Sequence, residues 1–267
     1  MPRLIPRPSS GPPLFLGVIH LPALPGSPLS ELSLPDIVRR ATADAVALLD
    51  GGVDGLIVEN FGDAPFPRDG ADAVTVACLT HAALAVRRAA PDVMLGINVL
   101  RNDARSALAI AAAVDAEFIR VNVHVGAMVT DQGVIEGRAR DTLLLRRQLG
   151  ARVAIAADVL VKHAVPLGDQ RIDDVGRDTW DRGLADALIV TGTGTGRPTD
   201  PSDVDRLRAA CPDAPIWIGS GLDPARASFI AGRAHGAIVG TWLHEGGDVR
   251  RPIDAGRVRE MAAALRR

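Results

Sequence analysis

VMLGINVLRNDARSALAIAAAVDAEFIRVNV, from Val93 to Val123, holds two short aliphatic runs on either side of an alanine-rich stretch. The runs VMLGINV (Val93 to Val99) and EFIRVNV (Glu117 to Val123) have the length and β-branched content of buried strands, and Asp103 to Val114 between them reads as an amphipathic helix. A strand, a helix and a second strand in this order form the repeating unit of a parallel sheet.

Outward from that stretch the unit recurs to both ends of the chain. Further strands are expected at Leu14 to His20, Gly55 to Asn60, Arg152 to Val159, Ala185 to Gly192, Ala214 to Gly221 and Gly236 to Thr241. Further helices are expected at Ile37 to Leu49, Ala71 to Ala90, Arg138 to Leu149, Ile172 to Arg182, Pro201 to Ala210, Ala225 to Ala231 and Asp254 to Leu265. Their ends follow helix chemistry: Pro35-Asp36 opens one and Gly51-Gly52 closes it, while Asp223-Pro224 opens another that closes at Gly232. Eight such pairs in 267 residues fit a single (β/α)8 TIM barrel, an α/β fold of one domain spanning 1–267 with a short proline-rich arm at 1–13. An open doubly wound sheet is the competing architecture, but it needs a topological switch point. The arm is expected to cover the N-terminal mouth of the barrel.

Composition narrows the function. A net charge of -2 and 3% aromatic residues offer neither a basic footprint nor stacking platforms for nucleic acid. Cys78 and Cys211 lie apart, without CxxC spacing, so core or surface roles in a reducing cytoplasm are expected. The start, MPRLIPRPSSGPP, is too rich in proline for a signal peptide, and no apolar run reaches membrane-spanning length. A cytoplasmic protein without membrane insertion follows; a homo-oligomer is compatible with it.

In a barrel of this type chemistry sits at the C-terminal ends of the strands. There the chain places His20, Glu59, Asn98, Arg120, Asn122 and Asp158, whereas the opposite strand halves are almost wholly apolar. Glu59 suits a general base or metal ligand, with a salt bridge to Arg120 or Arg101 as the structural alternative. His20 precedes the stiff turn LPALPGSP and suits proton transfer, or else a hydrogen bond to that turn. Lys162 is the only lysine among 30 basic residues, in ADVLVKHAVPLG beside His163. A compact ammonium there suits neutralising an enolate or phosphate, or forming a Schiff base. The sequence requires no cofactor; a divalent metal on Glu59 and Asp158 is compatible with it, although no spacing specifies one.

Three glycine-bearing turns close the series. Gly219-Ser220-Gly221 and Gly240-Thr241 end two successive strands, the pattern of barrels that hold a phosphate on backbone N–H groups. One strand earlier, TGTGTG contains Thr193 and Gly194; it fits neither a dinucleotide fingerprint nor a P-loop and reads as a clamp or lid beside the phosphate.

Six long segments carry a family resemblance: GVIHLPALPGSP (Gly17 to Pro28), GGVDGLIVENFGDAPF (Gly51 to Phe66), GINVLRND (Gly96 to Asp103), FIRVNVHVGAMVTDQGVIEGRA (Phe118 to Ala139), ADVLVKHAVPLG (Ala157 to Gly168) and ADALIVTGTGTGRPT (Ala185 to Thr199). From Phe15 to its C-terminus the chain resembles the BtpA/SgcQ family. The resemblance implies a ribulose-phosphate-binding type of barrel. It also implies two settings, photosystem I biogenesis for one namesake and sugar metabolism for the other, and it brings no catalytic residue list. The expected activity is that of an aldolase-type lyase or isomerase on a small phosphorylated sugar. The alternatives are a non-enzymatic biogenesis factor for a membrane-protein complex, and a metal-dependent phosphohydrolase or nucleotide hydrolase.

Overall fold

The computed structural model describes residues 3–5, 11–192, 194, 199–230 and 232–267. Eight parallel strands close into a barrel: β1 (Leu14–His20), β2 (Gly55–Glu59), β3 (Met94–Asn98), β4 (Phe118–Val121), β7 (Ala154–Val159), β9 (Ala187–Val190), β10 (Ile216–Ile218) and β11 (Gly236–Val239). Pairing of β11 with β1, from Leu14 opposite Gly236 to Gly17 opposite Val239, joins the last strand to the first and leaves no free edge.

Around the barrel run α1 (Leu34–Gly51), α2 (Ala73–Ala89), α3 (Ala104–Ala113), α4 (Ala139–Gln148), α5 (Ile172–Arg177), α6 (Pro201–Ala210), α7 (Ala227–Ile230) and α8 (Ala255–Leu265). Short polar side chains cap several of them: Ser33, Asp72, Asp103 and Asp200 each accept a first-turn N–H. Gly52, in the left-handed region at φ 91°, ends α1. The expected helix from Ile172 to Arg182 is helical throughout, but its second half, Asp178–Arg182, widens into a π turn. The expected helix at Ala225 is a 3-10 turn, Pro224–Arg226, leading into the single turn of α7. None of the described helices is long and apolar enough to cross a membrane.

The hydrophobic core has two layers. Strand residues facing outward, with the apolar faces of the helices, form the larger one. Inside the barrel, Leu16, Val18, Ile57, Phe118, Ile189, Trp217 and Ile238 form the other. Phe118 and Trp217 meet edge to face there, 5.4 Å apart, and Gly96 makes the room, since a Cβ would stand 2.2 Å from the Phe118 ring. Ile5 joins this inner layer. The arm is tied at the barrel's N-terminal end by Arg3, which donates to the carbonyls of Ala185 and Trp180, and by the Leu4 N–H, which donates to Asp186 at 2.8 Å.

One element had no counterpart in the strand pattern. Between β4 and β9 the chain builds a three-stranded antiparallel sheet from β5 (Ala127–Thr130), β6 (Gly133–Glu136) and β8 (Val165–Pro166). Met128 and Ile135 on its inner face pack with Val123 and Val161 in a small core of their own.

Candidate active site

Strand register sets the site. His20 pairs with Glu59 and Glu59 with Asn98, so the last residues of β1, β2 and β3 stand at one level. Across the barrel Val121 pairs with Ala157, which brings Asn122 and Asp158, the next residues in the chain, level with each other. Two adjoining cavities open at this end. One, about 180 Å³, is lined by His20, Gly219 to Leu222, Gly240 and Thr241 among others; the second, about 530 Å³, is lined by Phe61, Phe66, Asn98, Leu100, Asn122 and His163 among others. Glu59, Arg120 and Lys162 line both, so the two form halves of one mouth.

At the centre a buried network fixes the polar side chains. Asp158 accepts from Arg120 Nε at 3.2 Å and Nη2 at 3.1 Å, and from Asn122 Nδ2 at 2.9 Å. Asn98 Nδ2 donates to Glu59 at 2.5 Å. Each carboxamide therefore turns its N–H toward a carboxylate, which orients its oxygen the other way, and Oδ1 of Asn98 and of Asn122 have no protein partner among the described residues. The structural alternative for Glu59 is not the one adopted: Arg120 pairs with Asp158, and Arg101 donates to the carbonyl of Lys162 at 2.6 Å.

Lys162 is held by its backbone. Its N–H donates to Thr191 Oγ1 at 3.0 Å, at the end of β9, while Arg101 holds its carbonyl. Its ammonium has no hydrogen bond or ion pair among the described residues. Burial lowers its pKa, and the Arg120 guanidinium lowers it further, with Glu59 and Asp158 pulling the other way. His163, next in the chain, has φ 56° and lines the rim of the larger cavity; partial burial, then Lys162 and Arg101, lower its pKa.

His20 does not hydrogen-bond the turn that follows it. Its Nδ1 lies 3.1 Å from Nε2 of His244, whose Nδ1 lies 2.7 Å from the carbonyl oxygen of Arg251. Burial foremost, then His244, Lys162, Arg120 and Arg40, hold the His20 pKa well below 6.5. Gly240 admits the ring, since a Cβ there would stand 2.5 Å from His20 Cε1. Gly219 is equally constrained: its Cβ would stand 2.6 Å from Ile189 and 3.3 Å from Arg120 Nη2. Ser220 Oγ accepts from the Gly192 N–H at 2.7 Å, while the N–H groups of Gly221, Gly240 and Thr241 have no backbone acceptor among the described residues. Gly194 is buried beyond β9, and Thr193 lies outside the described residues.

The sequence pattern left one participant unseen. His244 comes from the loop after β11, off any strand, so strand periodicity carries no sign of it; Arg101, expected only as an alternative partner for Glu59, comes from the loop after β3 and holds the Lys162 carbonyl instead. His124, adjacent to the polar end of β4, turns away from the mouth and its Nε2 meets the Gly183 carbonyl at 2.8 Å. No three His, Cys, Asp or Glu side chains converge as a metal would require among the described residues, and both oxygens of Asp158 are taken by Arg120 and Asn122.

Comparison with known proteins agrees with this architecture. The barrel resembles phosphoribosyl anthranilate isomerase from Thermus thermophilus, with a TM-score of 0.57 and 15% identity over 94% of this chain and 98% of that one. It is equally similar to KGPDC from Streptococcus mutans, with a TM-score of 0.57 and 13% identity over 95% and 97%. At such identities the likeness shows the fold, a (β/α)8 barrel. In sequence the chain is 46% identical over 252 residues to the photosystem I biogenesis protein BtpA of Synechocystis sp., covering 94% of this chain and 87% of that protein. It is 34% identical over 257 residues to a mitochondrial protein of Caenorhabditis elegans, covering 94% and 92%. The BtpA family model matches residues 13–267, and the chain belongs to that family.

Proposed function

We propose that the barrel mouth binds a small phosphorylated sugar or related metabolite and moves a proton on it, as an aldolase-type lyase or an isomerase in the cytoplasm. The observation that carries this reading is the division of one mouth into two halves that share Glu59, Arg120 and Lys162. One half offers backbone N–H groups at Gly221, Gly240 and Thr241 that have no backbone acceptor among the described residues, a cradle for an anion beside Gly219, Ser220 and Gly194. The other half offers oriented amide oxygens from Asn98 and Asn122, which accept hydrogen bonds from hydroxyl groups.

Roles follow from which atoms are free. Asp158 is fully engaged, so its part is to hold Arg120 and Asn122. His20 and Glu59 each keep an acceptor atom without a partner among the described residues for proton transfer, and the Lys162 ammonium faces the charge that develops on oxygen. Calorimetric titration with inorganic phosphate, then with ketose and aldose phosphates, tests the reading: saturable binding of the sugar phosphates supports it, and no binding of any of them refutes it. Borohydride trapping with the ketoses asks whether Lys162 acts through an imine, formed by its amine on the carbonyl with loss of water.

A second reading, a biogenesis factor for a membrane-protein complex, is favoured by the name of the Synechocystis relative and by one surface. Val129, Val134 and Val165 are cross-strand neighbours on the outer face of the small sheet and are 42%, 37% and 66% exposed, with Leu167 56% exposed nearby. Such an apolar row suits an apolar segment of a partner subunit. The C. elegans relative belongs to an animal, which has no photosystem, so this reading needs a wider class of partner. Complementation separates the two: Glu59→Ala and Lys162→Ala abolish function under the first reading, whereas Val129→Asp with Val165→Asp does so under the second.

A further inference from the structure

The hydrogen bonds of the His20–His244 pair have a direction. A carbonyl oxygen accepts only, so His244 Nδ1, 2.7 Å from the Arg251 carbonyl, carries a proton. In the neutral ring His244 Nε2 is then an acceptor, and His20 Nδ1, 3.1 Å away, supplies the N–H. That leaves the lone pair of His20 on Nε2, the one nitrogen of the two rings without a protein partner among the described residues, in a side chain that lines the smaller cavity. The surroundings keep both rings neutral. His20 is flanked by Lys162, Arg120 and Arg40; His244 is buried, with Arg40 lowering its pKa while the Arg251 carbonyl, Asp44 and Asp248 raise it. Packing fixes the ring planes: His244 is fully buried, and His20 stands edge-on to Phe61 at 4.7 Å.

Resting on the reading of the mouth as a phosphorylated-metabolite site, we propose that His244 is a positioning residue that sets the Nδ1–H tautomer of His20. His20 Nε2 is then the proton acceptor of the mouth, and the substrate turns a proton-bearing carbon or oxygen toward it rather than its phosphate. An ionised phosphate oxygen has no proton to give to an unprotonated nitrogen, and its place is on the N–H groups of the glycine turns. In the step itself a C–H or O–H bond of the substrate breaks and an N–H bond forms at Nε2. The electron pair stays on the substrate as an enolate or alkoxide facing Lys162, and the His20 imidazolium keeps its Nδ1–H bond to His244. No further reactant is consumed.

Long-range nitrogen–proton NMR of the full chain at pH 7.5 reads the tautomer directly, with the His20 signals among the six histidines identified by their loss in His20→Gln. The expected spectrum has a protonated Nδ1 and an unprotonated Nε2 for His20. In His244→Ala the proton moves to Nε2. In His244→Gln, whose amide can accept from His20 and donate to Arg251, it stays on Nδ1. A wild-type His20 protonated on Nε2 overturns the proposal, as does retention of the Nδ1–H form in His244→Ala, and the wild-type spectrum alone decides if that variant does not fold. Titration with inorganic phosphate followed by calorimetry reads the glycine turns separately. Absence of phosphate binding overturns the substrate orientation built on the glycine turns, while the site reading is decided by the sugar phosphates and the tautomer result stands by itself.

Discussion

Replacing Asp158 with alanine separates the structural carboxylate of the mouth from the reactive one. Arg120 and Asp158 are 3% and 0% exposed at their side chains and meet at 3.1 Å. Removal of Asp158 leaves a guanidinium buried without its partner, beside Lys162 and with only Glu59 to balance both cations. Breaking a buried pair in this way costs about 3–5 kcal/mol. For a chain of this size roughly 2 °C of Tm accompanies each kcal/mol, so thermal unfolding followed by circular dichroism is expected to fall by roughly 6–10 °C. Arg120→Met combined with Asp158→Leu recovers most of that loss, since neither charge is then stranded. Glu59→Gln, which keeps the Asn98 contact, is expected to change stability by less than about 1 kcal/mol. A fall of less than about 2 °C in Asp158→Ala would show that solvent reaches Arg120, and the division of labour between the two carboxylates would fail with it.

Three further perturbations read other parts of the fold. Gly240→Ala places a methyl group 2.5 Å from His20 Cε1; an overpacking cost of about 1–3 kcal/mol and displacement of the His20 ring are expected, read by urea unfolding and by the His20 NMR signals. His20, His124 and His244 all have pKa values below 6.5, with burial the largest cause. The unfolded chain therefore binds protons that the folded one does not, so their contribution is complete above pH 6.5 and is lost as pH falls, at up to about 1.4 kcal/mol per pH unit for each ring. Asp44 and Asp63, whose pKa values burial raises, act in the opposite sense; urea midpoints that do not fall between pH 7.5 and 5.5 would contradict the buried, neutral histidines. Ile5→Ala removes the arm's side chain from the inner barrel layer and is expected to cost about 1.5–3 kcal/mol, with unchanged melting showing that the arm does not stabilise the barrel.

The barrel was legible because parallel strands buried on both faces need continuous aliphatic runs, and such runs survive in the sequence whatever the loops do. VMLGINV and EFIRVNV paired through Gly96 opposite Phe118, as two neighbouring strands must. Boundaries were less visible: Ala214 to Gly221 contracted to Ile216–Ile218 because the glycine turn belongs to the mouth rather than to the ladder. The small sheet escaped notice because β5, β6 and β8 are short and half exposed, so no long apolar run marks them.

By itself the sequence determined the order of strands and helices and the end of the barrel that carries polar groups, because period and burial are local properties of the chain. Which polar group is engaged and which is free was decided only by tertiary structure. Arg120 chose Asp158 over Glu59, Lys162 was left with an ammonium unpaired among the described residues, and His20 found His244, 224 residues away in the chain. Hydrogen bonds and ion pairs depend on distances of a few ångströms between residues far apart in sequence, and closure of the barrel is what sets those distances.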